Sequence, residues 1–231
     1  MKVDFHSHIL PYVDDGAQNI IEALVLLKTL KEDGVDIVVA TPHLYLDRDS
    51  PATLQKKRDK SFDMLMDVCP ENYPKIIKGS EIYFSGIKPS TDLSGLRLGD
   101  TDYILLEFPY FRRLDKDFID ELKYYINAVP YKVIFSHVER YFKYSDRETI
   151  YEILKIGCLA QVNCDSLLLD EPREYTLELI EQGYALFLGS DAHSLKYRPP
   201  RFREAEAVIR NRLGDDVFEN MMKVSAEVLG F

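Results

Sequence analysis

Seven short runs rich in aliphatic and β-branched residues, at 3–5, 37–41, 75–80, 103–106, 132–136, 159–163 and 185–189, alternate with longer stretches whose apolar residues recur at helical spacing. That alternation leaves few folds open. Parallel neighbours cannot be joined by a hairpin and need long crossovers, which helices usually supply. The pattern predicts an α/β fold of βα units with a mostly parallel sheet of seven strands, built as one domain over residues 1–231. A chain of 231 residues that is 46% hydrophobic can bury a single core of that size.

The connections carry their own punctuation. After the first strand, Asn19 is placed to cap a helix and Glu22 to reach back to it; Ile20, Leu24, Leu27 and Leu30 keep helical spacing, and Gly34 ends the run. Ser50-Pro51 starts the second helix, and Lys56, Lys57 and Arg58 within it are expected on a solvated face. Residues 84–102, with Gly86, Pro89, Gly95 and Gly99, read as a loop with at most a short helix. Further helices are expected near 115–129, 147–156, 172–182, 202–213 and 216–229.

Chemistry-bearing residues gather at the strand ends. The chain has five histidines, and His6, His8, His43, His137 and His193 are all expected just past the C-terminal end of a strand. His6 and His8 stand two residues apart, so both imidazoles project from one side of the extended backbone, a chelating arrangement. Asp15 follows in a loop punctuated by proline and glycine that can fold back on them. Glu81 follows the third strand, Glu107 the fourth, and Asp191 shares the seventh with His193. In βα barrels that end builds the functional sites.

Each of these residues has an ordinary structural explanation when taken singly, as a loop cap, a salt bridge or a satisfied core imidazole. Together they would crowd unpaired negative charge at a cost of roughly several kcal/mol unless cations neutralise it. A multinuclear metal centre is the better account. Nine donors suit three ions, and a mixed imidazole and carboxylate set fits zinc, manganese or iron better than magnesium or calcium.

The remaining totals narrow the setting. A net charge of −10 disfavours nucleic acid and anionic lipid as partners. No apolar run is long enough for a membrane span, and the first residues enter a strand without an export signal, so a cytoplasmic location without stable membrane insertion is expected. Cys69, Cys158 and Cys164 show no paired framework and are expected to be reduced and mostly packed.

The motifs His6-x-His8, Asp15-Gly16, Thr41-Pro42-His43, Gly79-Ser80-Glu81, Leu106-Glu107-Phe108, His137-Val138-Glu139-Arg140-Tyr141 and Ser190-Asp191-Ala192-His193 resemble those of the PHP (polymerase and histidinol phosphatase) superfamily. With Tyr197-Arg198-Pro199-Pro200 added, the chain looks like the CpsB-like bacterial protein-tyrosine phosphatases of capsule and exopolysaccharide systems over nearly its whole length. The resemblance implies a distorted (β/α)7 barrel of the PHP type and three divalent ions, with manganese first and zinc or iron as alternatives. It implies one ion on His6, His8, Glu81 and Asp191, a second on Glu81, Glu107 and His137, and a third on Asp15, His43 and His193. Asp14 adjoins Asp15; Asp15 is preferred because it directly precedes the glycine, as in the family pattern.

Hydrolysis of a phosphomonoester follows from such a centre, since clustered divalent ions supply hydroxide near neutral pH and clamp phosphoryl oxygens. Arg140 and Arg198 are the candidates to stabilise the developing charge, because guanidinium forks match phosphate; ordinary pairing with Glu139 or Glu204 is the competing explanation. A phenolate leaves more readily than an alkoxide, so an aryl phosphate needs less help from a general acid. Aromatic and basic residues at Tyr110-Phe111-Arg112-Arg113, Tyr141-Phe142-Lys143-Tyr144 and Tyr197 suggest a rim suited to a phosphotyrosyl peptide. No cysteine is followed at the sixth position by arginine, so the loop of thiol-dependent tyrosine phosphatases is absent. The family resemblance implies a bacterial tyrosine kinase tail as partner. The alternatives are a small-molecule phosphatase of the histidinol-phosphate type and a non-catalytic, metal-stabilised PHP module.

Overall fold

The computed structural model describes residues 1–110 and 113–231. All seven expected strands are present, and two of them are interrupted. β2 (Ile37–Ala40) and β3 (His43–Leu44) flank Thr41-Pro42, while β4 (Lys75–Lys78) and β5 (Glu81–Tyr83) flank Gly79-Ser80. Pairing keeps one register across both breaks: Ile37 lies opposite Lys75, Ala40 opposite Lys78, then His43 opposite Glu81. Each interrupted pair is therefore one bent stave. The histidine and glutamate expected beyond a strand end instead open a resumed strand, because proline at 42 has no N–H to continue the ladder.

The others are β1 (Val3–Ser7), β6 (Tyr103–Glu107), β7 (Lys132–Phe135), β8 (Leu159–Asn163) and β9 (Ala185–Gly189). They form two parallel sheets, ordered β1-β2-β4 and β3-β5-β6-β7-β8-β9. The first and last staves meet at their C-terminal ends, where His6 and Ala192 carbonyls accept from the Asp191 and His8 N–H groups at 2.7 and 2.9 Å. No ladder joins them along their length among the described residues. The α/β architecture with parallel sheets agrees with the expected class.

Helices follow their sequence signals. α1 (Ile20–Glu32) starts where Asn19 accepts from the Glu22 N–H, and Gly34 turns the chain at φ 86°. α2 (Pro51–Met66) is capped by Ser50. α3 (Lys116–Ala128), α4 (Arg147–Lys155), α5 (Asp170–Glu181), α6 (Phe202–Leu213) and α7 (Asp215–Val228) lie within two residues of expectation. One expectation on α2 fails. Arg58 is buried instead of solvated, and its Nη1 donates to the Gly79 carbonyl at 3.1 Å, an acceptor exposed by the break between β4 and β5. None of the described helices is long and apolar enough to cross a membrane.

Strand alternation divides the core. Val38, Ile104, Leu106, Val133, Phe135, Val162 and Leu188 pack outward with the helices, whereas Val3, Phe5, Val39, Leu105, Ile134 and Phe187 form a separate inner cluster. Phe5 stacks on Phe187 with ring centres 4.2 Å apart. In β1 the register slips between Asp4, opposite Val38, and Ser7, opposite Ala40. Strand side chains alternate, so that slip turns His6 and His8 to the inner side above Phe5.

Candidate metal centre

Close backbone approaches put the first loop in place. Gly16 sits where a Cβ would lie 2.1 Å from the His8 carbonyl oxygen, and the Ala17 N–H donates to that oxygen at 3.0 Å. The loop thereby folds back as expected and delivers both acids. Asp14 and Asp15 take different tasks. Asp14 Oδ2 accepts from His8 Nδ1 at 2.7 Å and from the His43 N–H at 3.0 Å, so it fixes the ring's orientation from behind. Asp15 Oδ1 faces the ring nitrogens, 3.6 Å from His43 Nε2 and 3.5 Å from His193 Nε2.

The nine expected donors converge. His6 Nε2 and His8 Nε2 face each other at 3.1 Å; Glu81 Oε2 lies 3.3 and 3.4 Å from them, and Asp191 Oδ1 3.7 and 3.4 Å. Donors about 2.1 Å from one tetrahedral ion stand about 3.4 Å apart, so His6, His8 and Glu81 have the spacing of a coordination shell, and Asp191 Oδ1 lies beside the two imidazoles. On its other oxygen, Glu81 Oε1 lies 2.8 Å from His137 Nε2, which is 3.6 Å from Glu107 Oε1. Glu81 thus faces two donor groups at once. His8, Asp15, His43 and His193 form a further group of donor atoms within 4.8 Å of one another.

The chemistry of the set fits cations. Among the described residues, His43 Nδ1, Glu81 Oε2 and Glu107 Oε2 are buried without a hydrogen-bond partner, although the first two approach to 3.0 Å. Orphaned buried polar atoms are costly and call for a ligand. Burial and the neighbouring Glu81 charge push the Glu107 carboxyl up to about 7. Burial, then the Arg140 charge, pushes His137 down to about 4, which leaves it neutral as a metal ligand must be. Burial opposes charge on His6 as well, yet Glu81 and Asp191 hold it above its ordinary value.

Both candidate arginines reach the centre. Arg140 Nη2 donates to Asp191 Oδ2 at 2.5 Å, Arg198 Nη2 donates to the same oxygen, and Arg198 Nη1 lies 2.9 Å from His193 Nε2. Neither pairs with Glu139 or Glu204, the competing partners considered from sequence. His137 is turned inward by a backbone at φ 34°, which starts the 3-10 segment Val138–Lys143 and aims Arg140 at the site.

The expected rim is rearranged. Tyr141 is fully buried, its hydroxyl donating to the Phe108 carbonyl at 2.6 Å, so it belongs to the core. Tyr110 lies deeper than a rim residue, its hydroxyl 3.0 Å from His137 Nδ1 and 3.3 Å from Arg140 Nη1. Tyr197 is 75% exposed, and Phe111 and Arg112 lie outside the described residues. Sequence reasoning missed three supporting residues. Gln161 Oε1 accepts from the His137 N–H and meets His6 Nδ1, both at 2.9 Å; Asn163 donates to Asp191 Oδ2 at 2.7 Å. A Cβ on Gly189 would stand 2.5 Å from His6 Cβ. Position 161 and 163 on the inner side of β8 was the only available signal.

Residues 2–229 match the family described as capsular polysaccharide synthesis, CpsB/CapC. The tyrosine-protein phosphatase YwqE of Bacillus subtilis (strain 168) is 28% identical over 239 residues, covering 98% of this chain and 91% of that one. The tyrosine-protein phosphatase CpsB of Streptococcus agalactiae serotype III (strain NEM316) is 27% identical over 230 residues, covering 93% and 92%. A solved chain from work on YwqE of Bacillus subtilis and CpsB of Streptococcus pneumoniae, described as unique metal-dependent tyrosine phosphatases, superposes with a TM-score of 0.84 at 24% identity. It covers 98% of this chain and 94% of its own length, and it shares the fold.

Proposed function

Because the chain belongs to the CpsB/CapC family, matched over residues 2–229, we propose that it is a metal-dependent protein-tyrosine phosphatase acting in the cytoplasm. The observation that carries this reading is the set of orphaned donors His43 Nδ1, Glu81 Oε2 and Glu107 Oε2 at the focus of the histidine cluster. His6, His8, Glu81 and Asp191 hold one divalent ion; Glu81, Glu107 and His137 a second; Asp15, His43 and His193 a third. The donor set suits manganese, zinc and iron alike, and family resemblance puts manganese first. Ions bound there supply Lewis acidity toward phosphoryl oxygens and lower the pKa of water toward neutrality.

The protein's own groups do the rest. Arg140 and Arg198, 36% and 32% exposed at their side chains, stand at the mouth where phosphoryl oxygens enter and present forked donors to them. Asp191 holds both guanidiniums in position before substrate arrives. Tyr110 fixes the Arg140 and His137 orientations through one hydroxyl. The departing phenolate has a pKa near about 10, so little proton donation is required. A phosphotyrosine in the tail of a bacterial tyrosine kinase is the substrate suggested by family membership.

The test is a His6→Asn, His8→Asn double variant, assayed for bound metal, phosphotyrosyl-peptide hydrolysis and thermal unfolding. Loss of metal and hydrolysis with cooperative unfolding retained supports an enzyme. Hydrolysis that persists without metal contradicts it.

A further inference from the structure

The donors of two neighbouring staves are each followed, two residues on, by a tyrosine: His43-x-Tyr45 and Glu81-x-Tyr83. With His43 opposite Glu81 and Leu44 opposite Ile82, the same register sets Tyr45 opposite Tyr83, one rung farther out on the same side. Their rings lie 5.4 Å apart at 49°, and the Tyr45 ring is 5.1 Å from that of His43. Both tyrosines are half-buried and line a cleft of about 520 Å³ together with Tyr110, Arg48 and Glu107. Glu107 is one of the nine donors, so the cleft opens directly onto the centre. An aromatic tier thus stands over a tier of metal donors.

We propose that Tyr45 and Tyr83, with Tyr110 lining the same cleft, form an aryl-binding subsite that holds the substrate's phenyl ring and sets a preference for aromatic over aliphatic phosphate esters. The inference rests on the phosphatase reading above. Two residues of extended strand rise about 6.6 Å, comparable to the reach from a phosphorus atom to the far edge of its ester ring. A phosphate seated among the donors therefore carries its ring against the Tyr45–Tyr83 pair, whose rings touch each other at 5.4 Å, and tilted aromatic contacts there are favourable. A phosphoserine is too short to reach that tier, and its peptide backbone would have to descend past the rings into the cleft to bring the phosphate to the donors.

The test is calorimetric binding of benzylphosphonate and methylphosphonate to the metal-loaded full chain, in wild type and in Tyr83→Leu, Tyr45→Leu and Tyr83→Phe, with bound metal measured for each. Wild type is expected to favour benzylphosphonate by about tenfold or more, the two leucine variants to lose most of that preference, and Tyr83→Phe to keep it. No preference in wild type, an unchanged preference in both leucine variants, or losses that merely track lost metal would overturn the subsite. Turnover of a phosphotyrosyl peptide is followed in parallel. An aryl preference without turnover would sink the phosphatase reading and leave the subsite standing.

Discussion

Two adjacent aspartates show how much one position decides. Spacing alone left Asp14 and Asp15 equivalent, and the structure separates them: Asp14 bonds the rear of His8, while Asp15 faces His43 and His193. A carboxylate behind a ligating imidazole raises its basicity, and losing such partners typically weakens metal binding about 10- to 100-fold. Asp14→Asn should lower metal affinity by that order in a chelator competition while leaving the fold intact. Unchanged affinity would remove Asp14 from the centre's support. The cysteines give a negative prediction. Burial pushes the Cys158 thiol up to about 12 and also raises Cys164, so iodoacetamide should leave hydrolysis intact while a chelator abolishes it. Alkylation that inactivates the native enzyme would contradict metal-based chemistry. The five histidines were legible because the apolar runs placed them near expected strand ends, although His6 lies within β1 and His43 opens β3; Gln161 and Asn163 were not, since an amide on the inner side of a strand carries no chemical signature until its neighbours are known.

Among the elements, helix ends and the seven staves could be read because caps, glycines and apolar periodicity are local signals. The breaks at Thr41-Pro42 and Gly79-Ser80 could not, because β3 and β5 are too short to show a period. Nor could the left-handed backbone at His137, which no glycine marked. Arg58 looked solvated because its partner, the Gly79 carbonyl, is exposed only by one of those breaks. β9 ends on a glycine for a steric reason. Gly189→Ala would bring a Cβ to 2.5 Å from His6 Cβ and 2.7 Å from Gln161 Nε2, inside a packed layer. Such overpacking costs about 1–3 kcal/mol, so the variant should show a lowered unfolding midpoint and weaker metal binding. A variant matching wild type in both would show that β9 has room to move.

Across the whole molecule, stability should depend on pH through Glu139, which is buried with Oε2 unpartnered among the described residues. Burial raises its carboxyl from 4.5 to about 7. The folded state therefore holds this proton more tightly than the unfolded chain does. Its contribution is fully present below about pH 4.5 and is lost as pH rises through about 7, at about 1.4 kcal/mol per pH unit and on the order of 3 kcal/mol in all. In metal-stripped protein, Glu139→Gln should match wild type near pH 5 in urea unfolding and exceed it at pH 8. Equal stability at both values would mean that the carboxylate is solvated. A net charge of −10 surrounds a centre that itself calls for cations. The measurement that bears most directly on that centre is hydrolysis of a phosphotyrosyl peptide beside a phosphoseryl peptide and histidinol phosphate, by metal-stripped protein reloaded in turn with manganese, zinc, iron or magnesium. Turnover that requires metal and prefers phosphotyrosine is the predicted result. Preference for histidinol phosphate, or hydrolysis that survives without metal, would contradict it.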